Sequence, residues 1–319
     1  MKNNVKLIAV SLLAMFLTVV SCSENETSIE EIQNFKHLPE DVLNKVLELQ
    51  LDPSDFQYRE VEYPDGTLHE NVIIDDIIIE RRDFLNRVPS EGVIVKRYRT
   101  EFIVDTDIYP TIDIFAFTGG GGFGLSETAQ QGLIDAVENW NAIQNTTIEL
   151  NIVFDSNIAN YDTDEFETLV FVDPNAGDGY FGEALFPSED GAPGAALRIS
   201  TEANTTLGLP NAIEHLFTHE LGHAIGLRHS DWDTRRSCVE LGIQEEESSE
   251  SAVIDIFSTP IIEELLDESE ANSIMNACFG LNTTDGELTR LDAASLFNLY
   301  LDPFYNDGTG DGNLLGLLD

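Results

Sequence analysis

A chain of 319 residues, 42% of them hydrophobic, is long enough for one large domain or two modest ones, and it can bury a sizeable core. Its 59 acidic residues against 16 basic ones give a formal net charge of −43. That balance excludes nucleic acid as a partner, because phosphates need basic groups, and it favours cationic partners by electrostatic steering.

The chain opens on a targeting segment. Lys2 and Lys6 precede an apolar run from Leu7 to Val20 that is short for a comfortable membrane span. Val19-Val20-Ser21-Cys22 resembles a bacterial lipoprotein signal, with residues 1–21 removed and lipid carried on the Cys22 sulfur. A plain secretory signal with an incidental cysteine, or a short anchor helix, are the alternatives. The lipoprotein resemblance implies a protein held at the bacterial cell envelope by acyl chains alone. The acidic run Ser23-Glu24-Asn25-Glu26 resembles the export signal of surface lipoproteins, which implies the outer membrane and exposure at its surface.

Residues 22–100 read as a tether and N-terminal segment. Within them, 23–40 is polar, Asp41 to Leu51 forms a short amphipathic helix, and the isoleucine-rich run Val72 to Glu80 reads as one strand. Neither element carries recognisable chemistry. Arg81, Arg82, Arg87, Lys96, Arg97 and Arg99 crowd into a basic island. It is either the exposed junction where a protease cuts away residues 22–100 as a blocking pro-segment, or a face that docks on the acidic body.

A larger domain spans residues 101–302. Ile112 to Phe117 reads as its first strand. The Gly119–Gly122 run is a flexible connection with no following lysine, so it is not a phosphate loop. Ser126 caps a helix to about Ile143, with Ala129, Leu133, Ile134, Val137, Trp140 and Ile143 as its apolar stripe. Thr147 to Asp155 and Thr168 to Val172 are the next strands, an order that gives a mixed sheet with a helix on one face. Residues 173–194 read as a long glycine-rich loop carrying Asp173, Asp178, Glu183 and Asp190, and Ala195 to Thr201 as a strand. Clustered carboxylates suit Ca2+, and a solvated acidic loop is the default reading. Thr289 to Leu301 is a closing amphipathic helix with Leu291, Leu296, Leu299 and Tyr300 inward. Residues 303–319 form an acidic Gly/Asp tail.

The chemistry concentrates at His219-Glu220-Leu221-Gly222-His223-Ala224-Ile225-Gly226-Leu227-Arg228-His229. Two histidines four apart share a helix face and can reach one metal ion. Glu220 then lies beside that ion, where it can take a proton from a bound water. Gly226 can adopt the left-handed backbone that ends the helix and brings His229 back as a third ligand. Three imidazoles leave one tetrahedral position open, the layout of a catalytic zinc site. His215, one turn upstream, is read as a helix-surface residue.

This motif resembles that of the metzincin clan of zinc endopeptidases, and His229-Ser230-Asp231-Trp232 after His-Glu-Leu-Gly-His is similar to the bacterial dual-action HEIGH metallopeptidase family. The resemblance covers roughly residues 100–302. It implies an α+β fold: a twisted mixed sheet whose edge strand, Ala195 to Thr201, receives a peptide substrate, a zinc helix, a methionine turn and a C-terminal helix. Ser273-Ile274-Met275-Asn276 fits the turn, with Met275 as an apolar floor rather than a ligand. Ala277 stands where some relatives place a tyrosine, so no tyrosine ligand is assigned. The implied activity is hydrolysis of peptide bonds, with one Zn2+ on His219, His223 and His229 and Glu220 as general base. Cys238 and Cys278 are the two cysteines left in an exported chain, which invites one disulfide. The rivals are a lipid-anchored binding protein on a peptidase fold that no longer cuts, and a zinc hydrolase acting on another bond. Substrate preference and oligomeric state are not legible.

Overall fold

The computed structural model describes residues 38–49, 53, 56–74, 76–86, 98–176, 181–205, 208–231, 235–242, 254–255 and 272–300. In chain order the elements are α1 (Glu40–Glu48), β1 (Phe56–Glu62), β2 (Leu68–Ile74), β3 (Ile77–Glu80), α2 (Arg81–Asn86), β4 (Tyr98–Arg99), β5 (Thr111–Phe117), α3 (Glu127–Asn141), β6 (Glu149–Asp155), β7 (Thr168–Asp173), β8 (Gly182–Leu185), β9 (Ala196–Ser200), α4 (Thr201–Thr205), α5 (Pro210–Ala224), α6 (Arg236–Glu240), β10 (Ile254–Asp255) and α7 (Arg290–Leu299). None of the described helices is long and apolar enough to cross a membrane. Cys22, residues 23–37 of the polar tether, Arg87, Lys96, Arg97, Asp178, Trp232 and the acidic tail lie outside the described residues.

Eight strands form one mixed sheet in the order β1-β2-β3-β8-β9-β7-β5-β6. β6, β5, β7 and β9 run parallel, and β7 is buried along its whole length, as a strand covered on both faces must be. Helices α3 and α5 cover one face. They approach closely at Gly132, where a Cβ would stand 2.4 Å from Ile213 Cγ2. Trp140 Nε1 donates to the Thr218 carbonyl at 3.0 Å and ties the two helices together. The Ser126 cap is present, its side chain accepting from Ala129 N.

The opposite face carries Phe115, Phe117, Leu169, Phe171 and Leu185, packed against Val61 and Tyr63 from the N-terminal part of the chain. A third cluster joins Val42, Val46 and Phe84 of α1 and α2 to Phe56, Val72, Ile74 and Ile79. Strands β1, β2 and β3 thus continue the sheet, and they bury apolar surface that each aliphatic or aromatic side chain makes worth about 1.5–3 kcal/mol.

Three expectations are corrected. The run Val72 to Glu80 is not one strand: Ile74 pairs with Ile77, so the chain reverses between β2 and β3, with Asp76 in the turn. Two adjacent acids inside an isoleucine run are poor strand formers and good turn formers, which was the available signal. Residues 173–194 are not all loop, since Gly182–Leu185 forms β8; its Gly-Glu-Ala-Leu sequence has little intrinsic strand preference. Finally, β9 is not an edge. β8 pairs antiparallel outside it, and β3 then pairs parallel with β8.

Candidate metal centre

Helix α5 is buried over nearly its whole circumference, which suits a helix clamped between a sheet and a capping layer. It ends where Gly226 takes φ +100°, and the reversed chain returns His229 to the helix face. Gly222 is required for a different reason. A Cβ there would stand 2.4 Å from Met275 Sδ, so the methionine packs directly against helix backbone.

The three predicted histidines meet. His223 Nε2 and His219 Nε2 each lie 3.3 Å from His229 Nε2. Four ligands at zinc–nitrogen bonds of 2.0–2.1 Å in a tetrahedron are separated by about 3.3 Å, so the spacing matches. His219 Nδ1 donates to the Ile274 carbonyl at 2.7 Å and His223 Nδ1 to the Leu227 carbonyl at 2.8 Å. Carbonyls only accept, so both rings carry their proton on Nδ1 and turn a bare Nε2 inward. Two bare nitrogens turned toward one point suit a cation there. The donor set therefore fits zinc.

Sequence reading missed the fourth member. Asp76, from the turn between β2 and β3, places Oδ2 3.1 Å from both His219 Nε2 and His229 Nε2, and Oδ1 3.6 Å from His223 Nε2. Among the described residues, Asp76, His219, His223 and His229 form a cluster able to hold a metal ion. Burial pushes the Asp76 carboxyl up, but the surrounding His219, His223 and His229 rings outweigh it and hold the group well below the usual range. Burial drives the His223 imidazole down to about 4, which keeps it neutral and ready to bind a cation. The N-terminal segment, expected to carry no chemistry, thus supplies a side chain to the centre.

Glu220 is 1% exposed, and its Oε2 has no hydrogen-bond partner. Burial, then the nearby Asp76 and Glu183 carboxylates, raise its proton affinity well above that of an ordinary glutamate. Gly182 gives it room: a Cβ there would stand 2.5 Å from Glu220 Oε1. A buried carboxyl with an unused oxygen, next in sequence to His219 and close enough to Asp76 to feel its charge, is poised to exchange a proton with a group bound at the centre.

Two buried polar groups fix the surroundings. Arg235, 2% exposed, places Nη1 3.0 Å from His229 Nδ1, so the third ring is oriented by a donor where the other two are oriented by acceptors. Asp292, fully buried, accepts from Ser273 Oγ at 2.6 Å and Ile274 N at 2.9 Å, and from Thr289 N at 3.0 Å. It joins the cap of α7 to the turn that carries Met275.

The remaining site expectations are placed as follows. Met275 is 2% exposed, lies under α5, and accepts from Ser230 N at 2.7 Å. Cys238 and Cys278 are bonded, with Cα atoms 4.9 Å apart and 40 residues between them in sequence. Closing a loop of that size contributes roughly 4 kcal/mol by the chain-entropy model. His215 is not on the surface: it is 3% exposed, its ring stacks 3.9 Å from Phe279, and its Nδ1 lies 2.6 Å from Thr284 Oγ1. The helix is covered there by residues from far along the chain, which helical periodicity cannot reveal. The acidic loop residues do not converge as a calcium site among the described residues. Asp173 and Glu183 pair with Arg59, Glu183 also pairs with Arg198, and Asp190 hydrogen-bonds Ser188.

A sheet backed by a helix that offers two histidines, a glycine turn returning a third, and a methionine turn beneath them define a zinc metallopeptidase. The model of the dual-action HEIGH metallopeptidases matches residues 75–300, and the chain belongs to that family. No curated protein matches the chain. Similar solved structures include myroilysin, at 13% identity over 60% of this chain and 92% of that one, with a TM-score of 0.35. High choriolytic enzyme 1, a hatching enzyme zinc-protease from Oryzias latipes (medaka fish), is 18% identical over 62% of this chain and 93% of that one, with a TM-score of 0.31. Metalloproteinase-II from Bacteroides fragilis is 13% identical over 77% of each chain, with a TM-score of 0.32. These likenesses are too distant to transfer any residue's role.

Proposed function

We propose that this zinc metallopeptidase is an endopeptidase of the bacterial cell envelope, anchored through lipid on Cys22, that hydrolyses protein or peptide substrates. When bound at His219, His223 and His229, zinc supplies Lewis acidity to the scissile carbonyl and to the attacking water. Glu220 takes the proton of that water and hands it to the leaving amine. His219 and His223 hold their tautomers through the Ile274 and Leu227 carbonyls, and Met275 packs beneath them. The observation that carries the reading is the buried Glu220 carboxyl, its Oε2 unpartnered, next in sequence to one of three converging imidazoles. A binding protein that no longer cuts has no use for a carboxyl kept buried without a partner, because such a group costs stability. The lipid anchor and envelope location rest on the sequence around Cys22 alone.

The test uses protein cut by limited trypsin treatment in the basic stretch after Arg87, Lys96 or Arg97, which frees one end of the segment carrying Asp76. This protein is expected to degrade denatured casein, to lose that activity with 1,10-phenanthroline, and to regain it with Zn2+. Hydrolysis indifferent to the chelator would remove zinc from the reaction.

A further inference from the structure

We propose that His215 is a specificity-determining residue, selecting substrates that place an uncharged side chain with a hydrogen-bond acceptor, a carboxamide above all, in a cleft beside the metal helix; the proposal rests on the zinc-peptidase reading. A cleft of about 340 Å³ opens between α5, α6 and the chain that follows the methionine turn. Its walls include His215, Leu241, Asn276, Phe279, Thr284 and Asp285. That volume lies at the lower end of the range for small-ligand pockets and accommodates one side chain. The cleft shares its walls with the centre. The His215 ring lies 6.5 Å from the His219 ring, with an interplanar angle of 15°. Ser273 and Asn276, both in the cleft wall, bracket Ile274, whose carbonyl accepts from His219. A substrate held at the metal therefore has this cleft beside it.

The wall contains one unmatched buried atom. His215 is 3% exposed, Phe279 stacks on its ring at 3.9 Å, and its Nε2 has no hydrogen-bond partner among the described residues. A buried polar atom left in that state costs stability unless a ligand completes it. Thr284 decides what the ligand must offer. Its Oγ1 accepts from Gly286 N at 3.1 Å and lies 2.6 Å from His215 Nδ1. Giving its own hydrogen to Nδ1 satisfies the hydroxyl in both of its roles, and a neutral ring then carries its proton on Nε2. Burial pushes the imidazole down to about 3, which keeps the ring neutral at neutral pH. Nε2 is thus a donor without an acceptor. An ammonium side chain has no acceptor to give. A carboxylate has one, but no lysine or arginine lines the cleft among the described residues, while Glu240 and Asp285 stand exposed at its rim. A buried anion there would go unpaired and be repelled. An aliphatic or thioether side chain would fill the space and leave Nε2 unmatched. The carboxamide of glutamine or asparagine matches it without charge.

Peptides that vary only at the two positions flanking the cut are offered to the trypsin-cut protein. Glutamine or asparagine at one of those positions is expected to raise kcat/KM about tenfold or more over methionine, glutamate and lysine. His215→Phe keeps a ring against Phe279 and removes Nε2. It is expected to bring the glutamine-to-methionine ratio below about threefold, with zinc content unchanged. A merely structural histidine would lower every peptide alike and leave that ratio where it was, which overturns the proposal; so does a wild type that prefers methionine, glutamate or lysine. A second measurement needs no hydrolysis. The intact, zinc-loaded chain, labelled in its histidine nitrogens, is titrated with propionamide, propionate and propylammonium and followed by NMR. Only propionamide is expected to shift the His215 Nε2 resonance, assigned by its loss in His215→Phe or, should that variant not fold, in His215→Gln. No shift with propionamide, or an equal one with propionate, overturns the proposal. If the resonance responds to propionamide while the cut protein hydrolyses no peptide, the carboxamide site stands and the peptidase reading fails.

Discussion

Glu220→Gln, measured in trypsin-cut protein, is expected to lose about 10²- to 10⁴-fold in kcat while zinc content stays unchanged. The substitution is nearly isosteric and the three ligand nitrogens are untouched, so the metal should be retained. Stability is expected to hold or rise, because a buried carboxyl with an unpartnered oxygen is replaced by a neutral amide. A loss confined to kcat identifies a group acting in the chemical step, whereas a change in KM alone would indicate substrate binding. Retention of more than about a tenth of the wild-type rate would remove Glu220 from the role of base. Loss of zinc together with activity would instead make it a structural neighbour of the ligands.

The largest stability effect is expected at Asp292. Its carboxylate accepts from Ser273 Oγ, Ile274 N, Thr289 N and Thr289 Oγ1 in a fully buried position. Asp292→Ala strips four donors of their acceptor, and unsatisfied buried donors cost about 1–3 kcal/mol each before relaxation. A net loss of about 3–5 kcal/mol is expected in urea unfolding with the disulfide intact. Asp292→Asn keeps one acceptor oxygen and should fall between the two. The same change should weaken zinc retention, since Ile274 offers its N–H to Asp292 and its carbonyl to His219. A cost below about 1 kcal/mol would mean that the turn holds its shape without this carboxylate.

Much of the centre was legible in the sequence because its parts are local. Two histidines four apart share a helix face whatever surrounds them. Gly226 follows His223 closely enough that its left-handed turn and the return of His229 are decided within one short stretch. The strands from Thr111 to Asp173 and the Ser126-capped helix were visible for the same reason, since hydrophobic period and capping chemistry act over a few residues. The disulfide was inferable by elimination among three cysteines.

Other features became visible only in the folded chain. Asp76 meets His219 across 143 residues of sequence, and Asp76 alone looks like one of many surface acids. Arg59 reaches Glu183 across 124 residues, and nothing in its neighbours distinguishes it from other arginines. His215 appeared exposed because the loop that covers it belongs to residues 279–284. Strand order was likewise hidden: β8 is four residues of weak preference, and it is a strand because β9 and β3 flank it.

The amino-acid order by itself determined which atoms are able to hold and activate a metal, because that chemistry is written within one helix and one turn. The tertiary structure decided which distant groups join them, because Asp76 and the Arg59 that pairs with Glu183 come from a hairpin far away in sequence. Their positions are set by strand pairing and by apolar packing on both faces of the sheet, which are properties of the whole fold.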